Sequence, residues 1–232
     1  MKSKKIIMLT SAFLFFIGLT IFVQSSYANT LSQKIEQIKR NEIHQRLGEA
    51  LKDNVTVSNS ENIVAIVNGE NISVNEWNYY KIWDTEKVKN FGEVVPSDQQ
   101  ILDSLVKNKV IVSAAKQQGL YPNEEEINSY ISEQRQIMAK ERPQDVYNLI
   151  KGWGISEEEY FSIMKDIWGD SIARLNWYDA LRKNSPQKGN ETTEDYMIRL
   201  KKIYNDEVAS LVEKPNIEIT NQGMLLGLSY SK

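Results

Sequence analysis

Cysteine is absent from this 232-residue chain, and histidine occurs once, at His44. These two shortages exclude a disulfide framework, a cysteine nucleophile, a Cys/His zinc site and a paired-histidine metal site. A Ser-His-Asp triad would have to be built on His44. Carboxylate-only metal sites and paired-carboxylate catalysis survive the test, because residue counts do not exclude them. Proline is scarce at five residues, and neither an internal repeat nor a low-complexity tract is present. Charged residues make up 25% and hydrophobic ones 41%, the composition of a folded chain with a sizeable core.

The first residues read as a targeting segment. Lys2, Lys4 and Lys5 precede an apolar run without charge, Ile6 to Val23. Ser26 and Ala28 then occupy the −3 and −1 positions of a signal peptidase site, which predicts cleavage after Ala28. The rival reading is an uncleaved membrane anchor. Eighteen helical residues reach only about 27 Å, short of a ~30 Å hydrocarbon core. No cysteine follows the run, so a lipoprotein anchor is excluded. The expectation is an exported chain, secreted or held at the outer face of the cytoplasmic membrane through its N-terminal apolar segment.

Export changes the charge balance. Residues 1–28 hold three of the 28 basic residues and none of the 31 acidic ones, leaving a net charge of −6 on the remainder. Nucleic acid is therefore not expected as a partner, since such affinity comes from clustered Lys and Arg.

The rest reads as mainly α. Leu31–Lys52 has its apolar residues near one face and carries His44, which reads as a solvated helix residue without a catalytic partner. Residues 53–62 are polar and read as a linker. Ile63–Val67, then Asn68-Gly69, then Ile72 predict a tight hairpin. Ser73 with Glu76 predicts a capping box for a helix from Val74 to about Asn90. The segment opened by Pro96-Ser97 and closed by Gly119 is apolar around most of its circumference, which marks a central helix. Asn123 and Ser156 each precede three glutamates. These acidic triplets read as first helical turns favoured by the helix dipole rather than as metal or acid/base sites.

Ser156–Lys183 predicts a long helix with a stripe of Phe161, Met164, Trp168, Ile172 and Leu175. Trp177 lies about 160° from Phe161 on the helical wheel, with Leu181 beside it, so the two form a second apolar spot off the stripe. Residues 184–193 read as a loop. A helix comes next, from about Glu194 to Val212, with Met197, Leu200 and Val208 on its inner face. The alternation of Ile217 and Ile219 with polar residues predicts a short strand whose natural partner is the hairpin.

Three segments, in this order and spacing, carry a family likeness: IVAIVNGENISVNEW from Ile63, ILDSLVKNKVIVSAAKQQGLYPNEEEI from Ile101, and GWGISEEEYFSIMKDIWGDSIARL from Gly152. Together they resemble the N-terminal chaperone domain of the SurA and PrsA families, related to the peptide-binding part of trigger factor. The resemblance covers roughly Ile63 to Lys183. It implies a helical domain with a small β-hairpin joined by a C-terminal strand, spanning 63–220. A signal or anchor (1–28), a helix and linker (29–62) and a C-terminal tail (221–232) flank it. In those families a parvulin prolyl-isomerase domain commonly lies between the main helices and the closing helix. Here that slot is only Asn184 to Thr193, so isomerase activity is not expected.

The function implied is a holdase-like module for unfolded or partly folded exported polypeptides, without cofactor or metal. A surface for that task uses aromatics and methionine. Trp177 with Leu181, and Trp153 in its glycine-flanked turn, fall outside the core stripes and are the candidate client contacts. The alternative is an envelope-associated interaction protein with one specific partner. No nucleophile motif, phosphate loop or metal-ligand spacing supports an enzyme.

Overall fold

The computed structural model describes residues 31–56, 62–91 and 94–230, with no side chains described for 31–39 and 87–91. The expected signal or anchor, the polar stretch 57–61, and the inner face assigned to Leu31, Ile35 and Ile38 therefore lie outside the described residues. In chain order the elements are α1 (Leu31–Leu51), β1 (Ile63–Val67), β2 (Glu70–Ser73), α2 (Val74–Phe91), α3 (Asp98–Gln117), α4 (Glu124–Glu141), α5 (Gln144–Trp153), α6 (Glu157–Asn184), α7 (Thr193–Glu213), β3 (Ile217–Ile219) and α8 (Asn221–Leu225). The fold is mainly α with one small sheet. Lys39 onward forms a compact unit that holds the sheet and every helix after α1.

Side-chain caps set most helix starts. Ser97 with Gln100, Asn123 with Glu126 and Ser156 with Glu159 make reciprocal capping boxes, and Thr192 accepts from the Asp195 N–H. Each cap satisfies backbone donors that a helix start leaves bare. At α2 only half of the expected box forms. The Glu76 N–H donates to Ser73 Oγ at 3.0 Å, but the Glu76 carboxylate turns inward to Lys109.

The hairpin turns at Asn68-Gly69, both with positive φ (51° and 86°), as a two-residue turn matched to strand twist requires. The sheet order is β2-β1-β3, antiparallel throughout. Val67 lies opposite Ile217 and Ala65 opposite Ile219, so the closing strand pairs where the sequence pattern puts it. Ile217 and Ile219 are half-buried rather than buried. The main apolar core lies between this sheet and α3. It includes Val64, Ile72, Trp77, Leu102, Val106, Val110 and Trp177.

Two flanking segments are more integrated than the sequence suggested. Leu47, Leu51 and Val55 are buried, and Asn75 Nδ2 donates to the Thr56 carbonyl at 2.6 Å, so residues 53–56 are docked rather than a free linker. The C-terminal half of α1 touches α5 backbone to backbone. A Cβ on Gly48 would lie 2.1 Å from the Leu149 carbonyl oxygen, and one on Gly152 would lie 2.2 Å from that of Gln45. Residues 221–230, expected as a tail, instead begin with α8 and bring Leu228 into the main core at 5% exposure. Met197, assigned to the inner face of α7, is 51% exposed, while Leu200 and Val208 are buried.

Candidate functional site

Of the sequence candidates for client contact, Trp153 and Trp177 are buried and Leu181 is half-buried. Trp153 is 1% exposed and is the last residue of helix α5, not part of a turn; its indole Nε1 donates to the Val55 carbonyl at 3.0 Å. Trp177 is 2% exposed and meets Tyr204 of α7 edge-on, with ring centroids 5.8 Å apart. Leu181 is half-buried against the same core. The physical reason is that α7 covers the face of α6 that the single-stripe pattern left over. His44 is half-buried, its ring edge-on to Trp83 at 6.2 Å and its Nδ1 2.8 Å from the Arg40 carbonyl oxygen. It faces no catalytic partner there.

The structure instead brings together a charged network that sequence reading missed. Lys109 sits in the middle of α3, 5% exposed. Its ammonium pairs with Glu76 of α2 at 2.8 Å and with Asp170 of α6. Tyr121 Oη donates to the other Asp170 oxygen at 3.2 Å. Arg174, one turn beyond Asp170, donates to Asn108 Oδ1 at 2.7 Å and to Ser171 Oγ at 2.9 Å. Three helices are thus tied through one lysine. The visible signal was a lysine amid Leu105, Val106, Val110 and Ile111, on the buried face of a largely apolar helix. A buried lysine needs a carboxylate partner.

Electrostatics follow from that burial. Desolvation raises the Glu76 pKa, and Lys109 only partly counters it. Burial works against the Lys109 ammonium, but Glu76 and Asp170 more than offset it, so Lys109 holds its proton more tightly than an ordinary lysine. Burial, and then the Asp170 charge, keeps the Tyr121 phenol protonated.

This network forms the wall of a cleft of ≈ 550 Å³. One side is β2, an edge strand, with Glu70, Asn71 and Ser73 lining the cleft. The facing side is α6, with Ser162, Asp166 and Asp170. The volume falls in the ~300–1,000 Å³ range of ligand sites, although the lining is more polar than in most. Among the described residues no cluster of three or more His, Asp or Glu could hold a metal ion, and no helix is long and apolar enough to cross a membrane.

The helical domain with a small hairpin joined by a C-terminal strand is the fold that the sequence resemblance implies. Residues 47–146 match the family model of the SurA-like N-terminal domain. The match is consistent with a domain of the SurA/PrsA N-terminal type. It is also similar to the foldase protein PrsA of Clostridium perfringens (strain SM101 / Type A), 28% identical over 116 residues. That alignment covers 44% of this chain and 34% of the relative, so the match spans about a third of that protein's length. No solved structure matches the chain significantly. The two matches support a chaperone-family role.

Proposed function

We propose that this chain is an exported, chaperone-like module that holds unfolded or partly folded polypeptides and does not isomerise prolyl bonds. The match of residues 47–146 to a SurA-like N-terminal domain carries the reading. Export rests on the Lys-rich start, the apolar run and the Ser26/Ala28 pattern. The non-enzymatic part rests on the slot between α6 and α7. Only residues 185–192 separate these helices, and Arg199 closes the loop by pairing with Glu191 at 2.7 Å and donating to the Pro186 carbonyl at 2.9 Å.

With Trp153 and Trp177 in the core, the holding surface falls to other apolar residues. Met224, Leu225 and Leu226 are 57%, 81% and 39% exposed on consecutive positions, and Met197 and Ile198 are exposed on α7. Methionine and leucine supply adaptable contact area without demanding one partner shape.

The test is aggregation suppression by the full chain against several unrelated unfolding proteins, beside a proline-limited refolding assay. Suppression of all of them at near-stoichiometric ratios, with an unchanged refolding rate, is expected. Failure to suppress any, together with capture of a single partner, would replace the holdase with a specific interaction protein. Faster refolding would overturn the non-enzymatic reading.

A further inference from the structure

The cleft beside β2 has a backbone feature that collapsed clients would not use. In the hairpin closed at Val67 and Glu70, residues alternate between facing the partner strand and facing away. The opposite side of β1 fixes the phase. The Asn68 N–H donates to Asn216 at 2.8 Å and the Thr220 N–H donates to Val64 at 3.1 Å, so even-numbered β1 residues turn to β3 and odd-numbered ones to β2. Val67 and Ala65 therefore engage Glu70 and Ile72. Asn71 lies between those two and directs its N–H and C=O outward, along the cleft.

Charge narrows the choice of occupant. Of the ammonium groups lining the cleft, Lys116 is paired with Glu70 at 2.6 Å, Lys165 with Glu124 at 2.8 Å, and Lys109 is shared by Glu76 and Asp170. Asp166, exposed on the α6 side, makes no ion pair among the described residues. An anion entering the cleft would have to displace a carboxylate already in place, whereas a cation meets an unneutralised one.

We propose that the cleft takes an extended polypeptide segment bearing a basic residue, which adds to β2 as a further strand through the Asn71 backbone and sets its Lys or Arg against Asp166. Strand addition gives affinity through main-chain hydrogen bonds, and side-chain pockets give selectivity. The inference deepens the polypeptide-holding reading and rests on it.

The experiment titrates the full chain into fluorescent decapeptides of alternating Val and Thr and reads anisotropy. One peptide carries two lysines and a second carries two glutamates. Two more repeat the lysine peptide with N-methyl groups on alternate residues, one in each phase. The lysine peptide is expected to bind at least tenfold more tightly than the glutamate peptide. Methylation in one phase should abolish binding and in the other preserve it, because only alternate residues bond to an edge strand. Asp166→Lys should weaken the lysine peptide at least tenfold without a shift in melting temperature. No binding, equal binding of the two charges, or equal binding of the two methylated phases overturns the proposal. Aggregation suppression is measured in parallel. Suppression without phase discrimination leaves the holdase reading and removes this site. Phase discrimination without suppression does the reverse.

Discussion

The two halves of α6 bury different kinds of surface. Its N-terminal half belongs to an aromatic cluster, with Tyr160 5.5 Å from Phe161 and 5.9 Å from Trp168, Phe161 5.6 Å from Trp168, and Trp153 6.4 Å from Tyr160. Its C-terminal half contributes Ala173 and Trp177 to the core beneath the sheet. Asp170, between them, enters the Lys109 network. A helix that serves two cores has no single apolar stripe. An off-stripe residue is then evidence of a second neighbour rather than of a surface site.

Opening both cores at once should have the largest effect. Phe161→Ala and Trp177→Ala should each cost about 3–5 kcal/mol, and their sum rivals the ~5–15 kcal/mol that holds a typical domain together. The double variant should show no cooperative urea transition. The milder pair Phe161→Leu and Trp177→Phe asks whether the two cores are independent. The sites lie about 24 Å apart along the helix, so their effects should add within roughly 0.5 kcal/mol. A larger coupling would mean that the two cores behave as one.

A smaller effect is expected at the junction. Lys109→Met leaves Glu76 and Asp170 buried without their counter-charge and should cost about 3–5 kcal/mol at neutral pH. Glu76 has a raised folded pKa, so its contribution is fully present below the ordinary value of 4.5 and is lost as pH rises through the folded value. Removing the ammonium, which lowers that pKa, pushes it higher still. The deficit should therefore shrink on acidification, measured as melting temperature against pH for both proteins. A deficit that stays constant with pH would show that the lysine's role is packing alone.

The smallest effect lies at the exit of the C-terminal half. Glu191 titrates at about 2 because Arg199 and the Lys188 N–H bond its carboxylate. Any stabilisation from it is present above the ordinary carboxylate pKa and is lost as pH falls through about 2. Arg199→Gln should move the Glu191 midpoint, followed by NMR, up toward the ordinary range, with little change in melting temperature. A midpoint still near 2 would assign the shift to the loop backbone.

The features legible in the sequence were local ones. Ser97, Asn123 and Ser156 mark helix starts because a cap is decided by residues three apart. Asn68-Gly69 fixes the hairpin, and the alternation of Ile217 and Ile219 placed the closing strand. The rest depended on contacts between distant segments. Lys109 hid in an apolar run because its partners, Glu76 and Asp170, lie on two other helices. Trp177 was misplaced because α7 could not be positioned from its own pattern. Gly152 looked like part of a turn, although its role is to let α1 approach α5. The family likeness, by contrast, rested on ordered local signals and carried through.

The pairing of β3 with β1 has a kinetic consequence. The Asn216 N–H donates to Asn68 Oδ1 across 148 positions, and the Thr220 hydroxyl donates to the Ile63 carbonyl across 157. Contacts this remote in sequence raise contact order, and folding slows accordingly. A chain that emerges N-terminus first can form the hairpin and its caps early. It presents the β1 edge unpaired until the last strand arrives, about 150 residues later. During that interval the molecule resembles the unfinished polypeptides that a chaperone would hold.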